Sequence, residues 1–370
     1  MTEPIRVLHV VQRMEAAGVQ ALLMNIYRSI DRNKVQFDFL VHYTEPQFYD
    51  EEIKKMGGKI YKFSVREDYN FLKYKHNLDI FFKEHKEYKI VHGHMNSLGA
   101  IYLNAAEKAS VPVRIAHAHN IKAYNKNQII REIKKIMTRH YSNHATDLFA
   151  CSEDAGKFMF GDKPFTVINN AIDSDLFKAK PEIRDKIRGN LGLDNNFVIG
   201  HVGRFHPQKN QLFLIDILYE IRINRPDVKL VLIGSGEDGT KIRAKIKQLE
   251  LEENVIFLGN RSDMNIVYQC FDVFAFPSLF EGLGIAAIEA QSAGIPTVCT
   301  DTLPKEINVT PLIYRLPLED PKQWAITLIK AAENPLAHQD MSHAIKEANF
   351  DISCVSEQLQ QFYIKKYNQI

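Results

Sequence analysis

Short apolar runs alternate along this chain with longer segments whose apolar residues recur at helical spacing. The first run, Ile5 to Val11, is rich in β-branched residues and bounded by Pro4, which suits a strand covered on both faces of a parallel sheet. Leu22, Leu23, Ile26, Tyr27 and Ile30 then share one helical face. Further strands are expected at Val35–Tyr43, Lys59–Phe63 and Ile90–His92, in the run Pro112–Asn120, and at Asp147–Cys151 and Phe165–Ile168. Helices are expected between them at Glu51–Met56, Asn70–Lys86 and Glu153–Phe160. Asp173 to Glu182 is polar and irregular and reads as an interdomain link, with a helix over Ile183–Leu191 after it. The alternation resumes with strands at Val198–Gly203, Val228–Ile233, Val255–Leu258, Phe271–Phe276 and Ile295–Cys299. A helix over Ser356–Tyr367 closes the chain. Such alternation predicts doubly wound α/β sheets, in which ligands sit beyond the carboxyl ends of the strands.

A chain of 370 residues favours two domains over one. Hydrophobic residues make up 45% and charged residues 25%, which fits a globular protein, and a net charge of +2 gives no general attraction to nucleic acid. Cys151, Cys270, Cys299 and Cys354 form no C-x-x-C pair and read as reduced thiols of a cytoplasmic protein. The N-terminus has no basic region followed by an apolar stretch, so no signal peptide is expected. No run approaches the ~18 apolar residues of a membrane span.

The carboxyl-end rule directs attention to four stretches. The first is E-G-L-G-I-A-A-I-E, from Glu281 to Glu289, after an apolar run closed by Pro277. Gly282 and Gly284 make a turn before a helix, so backbone amides and the positive helix start can approach a phosphate. Glu281 and Glu289 would repel that phosphate and so suit hydroxyl groups on either side of it. Hydroxyls flanking a diphosphate describe a nucleotide-sugar. In the second stretch Gly203, Arg204 and Lys209 follow a strand, and two cations on one loop also suit a diphosphate. In the third, His117 and His119 end a strand before Asn120, with His92 and His94 at the end of another. Four histidines raise the question of a metal, but no acidic or thiol partner stands near them in sequence, so no metal is expected. The fourth is the turn at Ala17 and Gly18 after the first strand. Each stretch taken alone also has a plain reading as a connection or a solvated loop. Lys126 to His140 adds a helical pattern with Ile129, Ile133, Ile136 and Met137 on one face and lysines and arginines elsewhere. It suits either an anionic membrane surface or a helix packed on its own domain.

E-G-L-G-x-x-x-x-E resembles the donor-site motif of retaining glycosyltransferases of family four, and G-R-F-x-x-Q-K-N resembles their donor-phosphate loop. Asp301 to Glu306 is similar to a segment frequent in exopolysaccharide and capsule glycosyltransferases. The resemblance implies the GT-B fold, two Rossmann-like doubly wound domains facing a central cleft. It implies an acceptor-binding domain over 1–172, a nucleotide-sugar-binding domain over 173–350, and a helix over 351–370 that crosses back to the first. Arg204 and Lys209 would neutralise the leaving nucleoside diphosphate. Glu281 would hold sugar hydroxyls and Glu289 the ribose. Gly203, Gly282, Leu283 and Gly284 would offer backbone at the phosphates, and Arg261 would lie near the base. His119, or else His117, would contact the donor sugar or acceptor, with Gly18 and Asn120 nearby. The implied reaction is retaining and front-face, with uracil as the donor base by family frequency, no metal and no cofactor. The implied acceptor is a lipid-diphosphate-linked oligosaccharide, with peripheral contact at the inner face of the cell membrane. Two departures stand out: Ala17 replaces a glycine, and Asn169-Asn170-Ala171 replaces Pro-Asn-Gly. A sugar-nucleotide epimerase of related fold and a non-catalytic nucleotide-sugar binder remain alternatives.

Overall fold

The computed structural model describes residues 3–15, 18–119 and 141–370. Two compact units are present, Met1–Ala171 together with Ile352–Ile370, and Ile172–Asp351.

In the first unit seven parallel strands run β1 (Ile5–Val10), β2 (Val35–Val41), β3 (Ile60–Lys62), β4 (Ile90–Gly93), β5 (Val113–Ala118), β6 (Asp147–Ala150) and β7 (Thr166–Val167). Their order across the sheet is β3-β2-β1-β4-β5-β6-β7. Every residue of β2 and β4 is buried, as expected for strands covered on both faces. The helix Gly18–Ser29 buries Leu22, Leu23, Ile26 and Tyr27 in the same core that takes Val355, Leu359 and Tyr363 from the terminal helix Ile352–Tyr367. Asn70 and Ser152 start the helices that follow them by accepting from the amides of Lys73 and Ala155. At Gly93 a Cβ atom would lie 2.1 Å from the Tyr102 hydroxyl, so the strand carrying His92 needs glycine there.

The second unit has six parallel strands, β8 (Phe197–Val202), β9 (Val228–Ile233), β10 (Val255–Gly259), β11 (Val273–Phe276), β12 (Thr297–Thr300) and β13 (Ile313–Leu316). They lie in the order β10-β9-β8-β11-β12-β13. The helix Gln211–Arg222 buries Leu214, Ile215, Ile217, Leu218 and Ile221 in a core shared with Trp324, whose indole N–H donates to the Pro317 carbonyl at 2.7 Å.

Three expectations change. Asp173–Glu182 is not irregular throughout: Asp173 accepts from the Leu176 amide and starts the helix Ser174–Phe177. The strand expected from Ile295 begins at Thr297, because Pro296 has no N–H for the ladder and only its carbonyl pairs, with Phe274. It is also not the last strand, since β13 follows with every residue only partly buried. No disulfide joins the cysteines; Cys354 is exposed and the other three are buried. Among the described residues no helix is long and apolar enough to cross a membrane.

Candidate functional site

Strand order in the second unit reverses between β8 and β11, and the crevice beyond their carboxyl ends is where doubly wound sheets bind ligands. Two of the sequence stretches meet there. The Leu279 amide donates to the Gln208 carbonyl at 2.8 Å, and Gln208 Nε2 donates to the Phe280 carbonyl at 2.8 Å. Lys209 Nζ lies 2.6 Å from Glu281 Oε1 and 4.9 Å from the centre of the Phe276 ring. The pair is largely buried, with side chains 19% and 10% exposed, so water screens it weakly. An ammonium has three N–H donors, and one carboxylate contact leaves capacity for a phosphate.

Arg204 differs from Lys209. It is exposed, and its guanidinium has no partner among the described residues. Its backbone is fixed instead. Gln211 Nε2 donates to the Arg204 carbonyl at 3.0 Å and lies 3.3 Å from His201 Nε2. His201 donates through Nδ1 to the Ala275 carbonyl at 2.9 Å, so its Nε2 is the accepting nitrogen. Burial lowers His201 to about 4, which keeps the ring in that neutral form. The turn Gly234-Ser235-Gly236-Glu237 after β9 supports the same loop, because the Phe205 amide donates to the Ser235 carbonyl at 2.9 Å. The loop after β10 joins it through Gly234 N–H to the Gly259 carbonyl at 2.8 Å. Arg261, on that loop, grips Asp263 through two bonds of 2.6 and 2.8 Å.

Gly284 has φ of 99° and begins the helix Ile285–Ser292 with no side-chain cap. Amides at that start therefore have no side chain of their own helix to satisfy them. Leu283 is buried and Gly282 partly so. Glu289, one turn into the helix, accepts from the Tyr268 hydroxyl at 2.8 Å. Burial pushes the Glu289 carboxyl up to about 7, with Tyr268 and Lys209 opposing the rise. Gln208 and Tyr268 are the residues that the sequence reading missed here. Gln208 already stood within G-R-F-x-x-Q-K-N, whereas nothing near Tyr268 marks its pairing with Glu289.

In the first unit the reversal lies between β1 and β4, and it is lined by histidines. His9, His92, His94, His117 and His119 are all buried. They form two hydrogen-bonded chains. His94 links His9 and His119, with Nε2 3.0 Å from His9 Nδ1 and Nδ1 2.9 Å from His119 Nε2. His92 links Tyr363 and His117, with Nδ1 2.6 Å from the Tyr363 hydroxyl and Nε2 3.1 Å from His117 Nδ1. Burial lowers every ring, His119 to about 4, so all five are neutral at pH 7. Among the described residues His9 Nε2 and His117 Nε2 have no hydrogen-bond partner, whereas His119 Nδ1 faces the Asn170 side chain. The triads His9–His92–His94 and His94–His117–His119 each bring three ring nitrogens within 4.8 Å of one another, so nitrogen donors for a metal cluster more tightly than the sequence suggested. The triads contain no carboxylate or thiol, and both nitrogens of His94 are already engaged. His9 was missed because one histidine in an apolar strand looks like a core residue. Gly18 opens its helix, and a Cβ there would meet nothing within 4 Å, so packing does not require glycine. Asn120 and the basic segment Lys126–His140 lie outside the described residues.

Comparison with known proteins bears on the family and the fold. The family model described as Glycosyl transferases group 1 matches residues 183–348. A protein of Bacillus subtilis (strain 168) named as a glycosyltransferase, EpsF, is 34% identical over 338 residues, covering 88% of each chain. The capsular polysaccharide biosynthesis glycosyltransferase CapH of Staphylococcus aureus is 24% identical and covers 98% of this chain and 99% of its own. An Escherichia coli UDP-Gal:alpha-D-GlcNAc-diphosphoundecaprenol alpha-1,3-galactosyltransferase is 30% identical over 232 residues, 58% of each chain. Among solved structures, HepE of Anabaena in complex with UDP and glucose aligns with a TM-score of 0.80 at 21% identity, covering 97% of this chain and 99% of its own. The two doubly wound parallel sheets are thus the GT-B architecture. With that fold, and with kinship to EpsF along most of its length, the chain belongs to the group 1 glycosyl transferases and is a transferase enzyme.

Proposed function

We propose that the enzyme transfers a sugar from a UDP-sugar to a hydroxyl of a lipid-diphosphate-linked oligosaccharide, retaining anomeric configuration and using its own cations in place of a metal. The observation that carries the reading is the Lys209–Glu281 contact of 2.6 Å at the carboxyl ends of β8 and β11. It joins a cationic loop to a glycine-led helix start, as a ligand with a diphosphate beside hydroxyls requires. Arg204, exposed and unpaired among the described residues, supplies the mobile cation. Lys209 and the amides after Gly284 supply fixed positive charge, which stabilises negative charge as it develops on the leaving group. Glu281 holds sugar hydroxyls and Glu289 the ribose, while Gly203 and Gly282 let the chain approach the phosphates. Arg261 and its loop border the base. His119 and His117 serve hydroxyls of the sugar or acceptor.

In the reaction the bond from the anomeric carbon to the diphosphate oxygen breaks. A bond from that carbon to the acceptor oxygen forms on the same face. The acceptor proton passes to the leaving phosphate, so the products are UDP and the extended acceptor. Support for this donor and acceptor comes from kinship: HepE binds UDP and glucose, the Escherichia coli relative uses UDP-Gal and a diphosphoundecaprenol-linked acceptor, and CapH serves capsule synthesis. Peripheral contact with an anionic membrane is part of the reading and rests on the sequence of the basic segment alone.

Incubating the enzyme with a panel of nucleotide-sugars, with and without membrane extract, tests the proposal. UDP release that depends on the extract, with product of unchanged anomeric configuration, is expected. Release of another nucleotide, or an inverted product, would refute the donor or the stereochemistry.

A further inference from the structure

Tyr363 lies on the terminal helix Ile352–Tyr367 and is fully buried. Phe37 presents its ring to it edge-on at 6.1 Å, and no apolar neighbour can accept a conventional hydrogen bond. Its hydroxyl has one partner among the described residues, His92 Nδ1 at 2.6 Å. That partnership fixes an order of protons. A phenol O–H is a stronger donor than a neutral imidazole N–H, and an imidazole nitrogen is a stronger acceptor than a phenol oxygen, so the hydroxyl donates to His92. Nδ1 of His92 is then the accepting nitrogen, and its one proton sits on Nε2. From there it donates to His117 Nδ1, 3.1 Å away. His117 in turn must carry its own proton on Nε2, the nitrogen that has no partner among the described residues. Burial supports each step: it raises Tyr363 far above the usual phenol range and holds both rings neutral.

We propose that Tyr363 is a positioning residue: through His92 it locks His117 as the Nε2–H tautomer, so that a buried, unpartnered N–H awaits an oxygen of the sugar substrate. The last step rests on the proposed function of His117, whereas the lock itself does not. One consequence is chemical. A ring whose free nitrogen bears the proton cannot accept another there, so His117 does not act as the base for the acceptor hydroxyl. Its partner ring His119, whose centre lies 4.1 Å away, turns Nδ1 toward the Asn170 side chain. The other chain contains no hydroxyl. The hydroxyl on the terminal helix is therefore what distinguishes the two.

The test is ¹⁵N imidazole spectroscopy of histidine-labelled enzyme, read beside donor kinetics in the wild type and in Tyr363→Phe. The variant keeps the ring and loses only the hydroxyl. The wild type is expected to show His117 protonated at Nε2. Tyr363→Phe is expected to add an Nδ1-protonated population at His117 and to raise the KM for the sugar-nucleotide up to about tenfold, the loss of one hydrogen bond. A wild-type His117 protonated at Nδ1, or an unchanged tautomer in Tyr363→Phe, would overturn the proposal even if KM rose. A tautomer that changes while KM stays constant upholds the lock and removes His117 from the sugar site.

Discussion

The two sheets reverse strand order in the same manner, yet one reversal is lined by neutral rings and the other by charges. Beyond β8 and β11 stand Arg204, Lys209, Glu281 and Glu289, on loops or the first turns of a helix. At β1, β4 and the adjoining β5 stand five histidines, three of them within the strands themselves. Position explains the difference. Arg204 is in contact with water, and Lys209 pairs with a carboxylate. His9, His92 and His117 are enclosed by the sheet and its covering helices, and desolvation removes their charge. The same topology thus yields one site suited to an anion and another suited to neutral hydroxyls.

Breaking the charged side should have the largest effect. Arg204→Ala is expected to lower turnover about 100-fold, the usual effect of removing one preorganised stabiliser of developing negative charge. Because the side chain is exposed and has no partner among the described residues, the melting temperature should hold, which separates chemistry from folding. Turnover near the wild-type value would remove Arg204 from the leaving-group role. Glu289→Ala should weaken sugar-nucleotide binding about tenfold, as measured by calorimetry, through loss of a charge-assisted hydrogen bond. The same residue gives a pH test. Its carboxyl is raised to about 7, so the proton is held below that pH and released above it. Donor affinity should therefore rise as pH increases from 6 to 8, and Glu289→Gln should flatten the curve. An unchanged slope in that variant would assign the titration elsewhere.

The neutral side should be sensitive to packing rather than to charge. Gly93→Ala forces a methyl group against Tyr102 and should destabilise the protein by about 1–3 kcal/mol. Gly18→Ala, in open space, should change stability by less than about 0.5 kcal/mol. Denaturant titration of both variants measures the contrast, and equal losses would contradict it.

Much of this was legible in the sequence, for identifiable reasons. Strands such as β1 and β8 are dense in Val and Ile, and glycines punctuate the turns that follow, so local pattern reveals alternation. The motifs around Arg204 and Glu289 are contiguous and could be read as chemistry. Their convergence could not, because Lys209 and Glu281 are separated by 72 positions and meet only through the pairing of β8 with β11. Tyr363 and His92 are separated by 271 positions, and nothing local to either predicts their contact. The short strand β13 escaped because its residues, all partly buried, leave no clear alternation.

The most direct test compares binding of UDP and of uridine, which differ by the diphosphate alone, in the wild type and in a double variant, Arg204→Ala with Lys209→Ala. If the cations beyond β8 grip the diphosphate, the double variant should bind uridine as the wild type does and lose at least tenfold of the preference for UDP, since each charge-assisted hydrogen bond contributes about 1.5–3 kcal/mol. An undiminished preference for UDP would contradict the account.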